Sequence, residues 1–179
     1  MVRIVVAGCF VLLLAIPALA QDDYPKIQTS MGYANLSLFN FGSTTGDTSR
    51  HSGFANQTGF NLTRTWGLEN YMGIYGLGGG VTLIADMFGG KATYRTSKFS
   101  PYALAGIGIG YFTASTSYGY AATSKFAQRV GAGVDIPISD SLAWKVEVSR
   151  MGFKIETTPG KGWTNGTNIA TGIVFTLAQ

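Results

Sequence analysis

Apolar and polar side chains alternate with a period of two along most of the chain, the signature of β-strands with two unlike faces. The clearest case is FAQRVGAGVDIPISDSLAWKVEVSRM, Phe126 to Met151. Phe126, Val130, Ala132, Val134, Ile136, Leu142, Trp144, Val146 and Val148 fall on even positions. Arg129, Gly131, Gly133, Asp135, Lys145, Glu147 and Ser149 fall on odd ones. The arms meet at Pro137-Ile138-Ser139-Asp140-Ser141, a turn-forming cluster, so the segment predicts an antiparallel hairpin with one greasy face and one small, sparsely charged face.

The same period predicts six more strands. Lys26 to Leu38 is β-branched, aromatic and small. Phe54, Thr58, Phe60 and Leu62 alternate with Ala55, Gln57, Gly59 and Asn61. Leu68, Met72 and Ile74 alternate with Glu69, Tyr71, Gly73 and Tyr75. A fourth strand spans Val81 to Tyr94, with a bulge expected at Gly89-Gly90. The fifth starts at Pro101 and alternates Ala103, Ala105, Ile107 and Ile109 with Leu104, Gly106, Gly108 and Gly110. With the hairpin as strands six and seven, Asn165 to Leu177 is the eighth. Polar stretches at 39–52, 113–124 and 153–164 read as long loops, whereas the connections after strands two, four and six are short. An even strand number with short turns on one side and longer loops on the other is the plan of an outer-membrane barrel.

Composition decides which face is wet. A lipocalin-like secreted barrel has the same alternation, but its outer face should be rich in charge. Here only 12% of residues are charged, about half the usual share, and the polar face is mostly Gly, Ala, Ser, Thr, Asn and Gln. Such a face suits a narrow lumen. The opposite face carries aliphatics in its middle and aromatics such as Trp66, Trp144, Tyr111 and Phe175 towards the strand ends, as a lipid-facing band with aromatic girdles does.

The first twenty residues have a basic start, an uncharged run from Ile4 to Ala20 and an Ala18-Leu19-Ala20 site before Gln21-Asp22-Asp23. They read as a cleaved secretory signal peptide, which leaves 21–179 as the barrel domain. The sole cysteine, Cys9, goes with the leader. So does Arg3, leaving 12 of the 13 Lys and Arg against 9 Asp and Glu, too weak an excess to imply nucleic acid.

SPYALAGIGIGYF from Ser100 to Phe112, the hairpin from Phe126 to Arg150, and NIATGIVFTL from Asn168 to Leu177 together resemble the eight-stranded outer-membrane β-barrel proteins. That group includes the OmpA-like transmembrane domain and the opacity-protein-like porin-family proteins. The resemblance implies an all-β fold, an eight-stranded antiparallel up-and-down transmembrane barrel in the bacterial outer membrane. It also implies contact with outer-membrane lipid and lipopolysaccharide and a monomeric state. The last strand, with Ile173, Phe175 and Leu177 spaced by two, looks like the signal read by the barrel assembly machinery, although Ala178-Gln179 stands where such strands end in an aromatic.

The lumen face carries the candidate chemistry. Pairing the hairpin about Asp140 sets Asp135 opposite Lys145, and a shift of two residues on each side sets Arg129 opposite Glu147. With Glu69, these four form an expected salt-bridged plug, because eight strands enclose a space about wide enough for side chains alone. A gated ion path through the same residues is the alternative. Arg150, Lys154 and Lys161 lie towards the loop-side rim, where cations suit lipopolysaccharide phosphates. His51 beside Ser52 bears on an alternative, a lipid A-modifying enzyme, but catalysis needs an acid within reach and the pair sits in a loop rather than spaced along a strand. The glycine runs at 76–80 and 106–110 have no helix after them, which excludes a dinucleotide loop. One histidine and no mature cysteine leave no transition-metal ligand set, and no cofactor is expected. The reading is a non-enzymatic envelope protein with a structural or surface-display role. A narrow porin-like channel is the alternative, ahead of a soluble ligand-binding barrel or a lipid A-modifying enzyme.

Overall fold

In lipid every backbone N–H and C=O must find a partner within the protein, and a sheet can meet that demand only by closing on itself. The chain does so in a computed structural model that describes residues 24–39, 48–116, 119–157 and 160–178. Eight antiparallel strands follow one another around a closed barrel. They are β1 (Ile27–Phe39), β2 (Thr48–Asn61), β3 (Trp66–Gly78), β4 (Val81–Thr93), β5 (Ser100–Thr116), β6 (Gly119–Pro137), β7 (Leu142–Thr157) and β8 (Gly160–Ala178). Pairing of β1 with β8, from Ile27↔Ala178 to Leu38↔Gly166, removes the last open edge. The expected leader, residues 1–20, lies outside the described residues.

The two faces separate as the alternation requires. Met31, Phe54, Ile74, Phe88, Ile107, Ile109, Val130, Val148 and Ile169 are exposed on the outside. The hairpin adopts the first of the two registers open to it, with Asp135↔Lys145, Val134↔Val146 and Ile136↔Trp144.

Three expectations are corrected. The β4 strand has no bulge at Gly89-Gly90, since its register with both neighbours runs unbroken from Thr82 through Ala92. Parity looked scrambled there because Gly90 has no side chain and Lys91, a charge, takes an inward position. The long loops at 113–124 and 153–164 are largely continued strand. The β5–β6 pairing runs up to Thr116↔Gly119 and the β7–β8 pairing up to Thr157↔Gly160. Thr and Tyr favour strands, and ladder bonds satisfy the backbone as well above the membrane as within it. The stretch at 39–52 is strand at both ends, with 40–47 outside the described residues. Finally, the inner face is not uniformly small. Leu36, Leu38, Tyr71, Tyr75, Leu83, Phe112, Met151 and Phe153 are all buried within the barrel. Glycines opposite them provide the space: a methyl group at Gly110 would meet the Phe153 ring at 2.7 Å.

The glycine run at 76–80 makes a hairpin turn. Gly78, Gly79 and Gly80 have φ of 83°, 57° and 76°, values that residues with a Cβ seldom adopt. The connections at 62–65, 94–99 and 138–141 share one end with the strand termini of β1 and β8, and the protruding β5–β6 and β7–β8 ribbons share the other. Short turns face the periplasm in such barrels and the longer excursions face outward.

Val148, half exposed on the outer face, lies six residues beyond Leu142 and so near the middle of a band about 25 Å tall. Val148→Arg should destabilise the bilayer-embedded barrel by about 2–4 kcal/mol, against about 0–1 for Ile138→Arg in the periplasmic turn. Urea titration in lipid vesicles measures the difference, and equal effects would contradict the face assignment.

Candidate functional site

Alternation sends charged side chains from four of the eight strands into the lower half of the lumen. Glu69 comes from β3, Lys91 from β4, Arg129 and Asp135 from β6, and Lys145 and Glu147 from β7, and all six are buried. Three carboxylates face three cations, so the cluster carries no net charge when all are ionised. Arg129 is its hub. Its guanidinium lies 3.2 Å from Glu69 Oε1, pairs closely with Glu147 Oε1 and sits over the Tyr71 ring at 3.9 Å, while its Nε donates to Ser149 Oγ at 3.3 Å. Lys91 stands between Glu69, at 3.7 Å, and Asp135, at 3.5 Å, over the Tyr102 ring. Lys145 is 3.9 Å from Asp135 and donates to Gln57 Oε1 at 2.5 Å.

Glu147 is fully buried. Its second oxygen accepts bonds from Gln57 Nε2 and the Tyr102 hydroxyl, each at 3.0 Å. Taking such a carboxylate out of water costs several kcal/mol, and only this density of partners offsets it. A chain from Arg129 through Ser149 and Asn168 to Tyr75 and Tyr71 extends the network upward into the apolar layer.

The structure thus brings Glu69, Arg129, Asp135, Lys145 and Glu147 together, and it joins features of both registers considered from the sequence. Asp135 faces Lys145 in the ladder, yet Arg129, across from Met151, still reaches Glu147 along the lumen. Lys91, Gln57, Tyr102 and Tyr71 were missed. Lys91 shares parity with Leu83, Ala85 and Met87, a signal the supposed bulge obscured.

Little space is left inside. The gap beside the network, lined by Ser30, Gln57, Glu69, Lys91, Lys145 and Val174, is about 10 Å³, room for about one water. Below it a vestibule of about 480 Å³, lined by Arg64, Arg95, Asp135 and Asp140 among others, opens at the short-turn end. Above it Leu36, Leu38, Leu83, Phe112 and Phe153 form an apolar layer.

The outer membrane protein beta-barrel domain family matches residues 7–176. The chain belongs to this family. Its fold is similar to the crystal structure of Neisserial surface protein A, with a TM-score of 0.70 and 9% identity over 85% of this chain and 97% of that one. It is similar also to Ail of Yersinia pestis, with a TM-score of 0.53 and 16% identity over 84% and 99%. The N-terminal barrel domain of Pseudomonas aeruginosa OprF gives 0.54 and 16% over 84% and 98%. At these identities the likeness is one of fold. No curated protein matches the sequence significantly.

As an outer-membrane barrel, the protein turns its apolar face to lipid, which sets aside the soluble ligand-binding barrel. The polar residues on that outer face are instructive. Asn70 donates to Asp86 at 2.8 Å, Trp144 to Thr171 at 2.8 Å, and Asn56 to the Ser30 carbonyl at 3.0 Å. Arg150 and Lys154 are exposed on the outer side of β7. The side chain of Lys161 lies outside the described residues. His51 and Ser52 diverge: the His51 ring is buried inside, 2.8 Å from Ser49 Oγ, whereas Ser52 faces out, 2.8 Å from the Tyr33 hydroxyl.

Glu147→Leu leaves Arg129, Gln57 and Tyr102 each short of a partner and should destabilise this outer-membrane barrel by about 3–5 kcal/mol. Adding Arg129→Met should recover most of the loss, since Glu69 keeps Lys91. Unfolding in lipid vesicles measures both, and a double variant no better than the single one would show that the two residues are not coupled.

Proposed function

We propose that this barrel is a non-enzymatic, lipid-embedded scaffold that holds the β5–β6 and β7–β8 ribbons outside the cell for envelope integrity, adhesion or surface interaction. The closed lumen carries this reading. A charge-neutral network fills the lower half and an apolar layer the upper half, so neither water nor an ion has a continuous route between them among the described residues. The divergence of His51 and Ser52 speaks against a hydrolytic pair. The outer wall contacts membrane lipid and, through Arg150 and Lys154 near the rim, lipopolysaccharide. The chain acts as a monomer and engages the barrel assembly machinery through β8, whose Ile173, Phe175 and Leu177 lie on the outer face.

A narrow channel is the second reading. One feature of the network favours it: Arg129 is shared by two carboxylates and Lys91 by two, so partners can be exchanged without leaving a charge alone.

Planar-bilayer recording of the refolded chain separates the two. A scaffold gives a flat trace at moderate voltage. Discrete, reproducible conductance steps that change with Glu147→Gln would replace the scaffold with the pore.

A further inference from the structure

One patch of the lipid-facing wall gathers several polar side chains that no neighbouring side chain satisfies. Across β4 to β8 the ladder aligns Phe88, Ile107, Gln128, Gly152 and Asn165 in one row. Beneath and above Gly152 on the same face of β7 stand Arg150 and Lys154. A surface groove of about 470 Å³ follows this row, with Arg150, Gln128, Gly152 and Asn165 at one end and Phe88, Ile107 and Val130 along its apolar wall. Gly152, without a side chain and buried beneath its neighbours, forms the floor of a notch. A methyl group there would lie 3.2 Å from Asn165 Oδ1 and 3.2 Å from Gln128 Nε2, so the two amides flank the glycine.

Elsewhere on the wall, polar side chains such as Asn70 with Asp86 and Trp144 with Thr171 satisfy each other. Among the described residues, Gln128, Asn165, Arg150 and Lys154 have no hydrogen-bond or ion-pair partner. Unpaired amides and cations facing hydrocarbon are costly, and the cost falls only if an anionic, hydrogen-bonding group from the membrane itself fills the notch. The depth fits. Arg150 lies eight residues and Lys154 twelve beyond Leu142, roughly 20 and 30 Å up a wall of tilted strands. With the long Arg150 side chain reaching upward, both charges arrive at the outer boundary of the hydrocarbon. Phe126 and Trp163, packed edge to face at 5.9 Å, flank the same level as an interfacial aromatic pair.

We propose that this groove is a binding site for one phosphorylated glycolipid of the outer leaflet, the lipid A part of lipopolysaccharide. The phosphate lies between Arg150 and Lys154 on the amides of Gln128 and Asn165, which bond its oxygens or those of the sugar, and an acyl chain runs along Phe88, Ile107 and Val130. The proposal rests on the lipopolysaccharide contact put forward above and gives it a site, a stoichiometry and a chemistry.

Native mass spectrometry of the refolded full-length barrel in detergent tests it, with bisphosphorylated and dephosphorylated lipid A as separate probes. One bisphosphorylated lipid should be retained, with an affinity roughly tenfold or more above that of the dephosphorylated form, given the strength of charged hydrogen bonds. Arg150→Gln with Lys154→Gln should remove that preference, as should Gly152→Leu, which fills the notch. Arg50→Gln, at an exposed cation on β2 outside the groove, should leave it intact. Equal retention of the two lipids overturns the proposal, as does an equal loss with Arg50→Gln or displacement of the lipid by inorganic phosphate alone. Unboiled electrophoresis verifies folding of each variant; should the double variant not fold, the comparison of the two lipids on the native chain decides. A barrel that folds and inserts but shows no preference refutes only this site and leaves the scaffold reading standing.

Discussion

The pairing of β1 with β8 is the constraint from which the rest follows. An unsatisfied backbone group in hydrocarbon costs several kcal/mol, so a sheet in lipid must close, and closure with eight strands fixes a narrow interior. Alternation then decides everything about the side chains: each strand must give one column to lipid and the other to a space scarcely wider than the side chains themselves. Glycine at 110, 131 and 133 is therefore as much a part of the interior as Phe153, Ser149 or Tyr102, because each lies where the larger neighbour needs room. A methyl group at Gly133 would stand 2.4 Å from the Tyr102 hydroxyl, the same hydroxyl that bonds Glu147.

A narrow interior also dictates how charge can be kept there. An isolated carboxylate or ammonium in such a space would be expelled or neutralised. Six charges persist because three of each sign are interleaved and each has more than one polar or aromatic neighbour. The network therefore does not rest on any single bridge: Arg129 spans Glu69 and Glu147, Lys91 spans Glu69 and Asp135, and Tyr102 lies beneath both lysines while it bonds Glu147. Above Tyr71 and Tyr75 the same space is filled mainly by Leu, Phe and Met, with the buried His51 bonded to Ser49 among them. The lumen is thus closed twice, by charge pairing below and by packing above.

What could be read from the sequence follows from the same physics. Period two marked the strands and separated their faces, so Asp135, Lys145, Glu147, Arg129 and Glu69 were legible as inward charges, while the turn at 137–141 left two registers open, of which the structure adopts the one that pairs Asp135 with Lys145. Lys91 was not legible, because a glycine pair beside it hid the parity of β4. Nor was the reach of Arg129: its long stem lets it meet Glu147 four rungs from its own ladder partner, a contact that no pairing rule expresses. The apolar upper lumen escaped for a related reason. Leu36, Leu38, Phe112 and Phe153 are on the inward column, yet hydrophobicity alone assigns them to lipid, and only the column they share with Ser30 or Ser149 places them inside. The ribbons at 113–124 and 153–164 looked like loops because polarity marks exposure to water, and exposure does not prevent strand pairing.

The outer wall shows how strictly the membrane enforces pairing where the sequence offers no hint of it. Asn70 and Asp86 are sixteen residues apart and unremarkable in sequence, but the β3–β4 register sets them diagonally adjacent on the lipid face, where the amide can cap the carboxylate. Trp144 and Thr171 are matched in the same way across β7 and β8. A wall that pairs even a threonine hydroxyl gives weight to the place where Arg150, Gln128 and Asn165 stand together unpaired. Those residues lie on three strands and converge because the glycine at 152 lets the two amides close over it. In hydrocarbon, polarity without an internal partner favours an external one, and that imbalance is the ground on which an outer-leaflet lipid is proposed for this place on the wall.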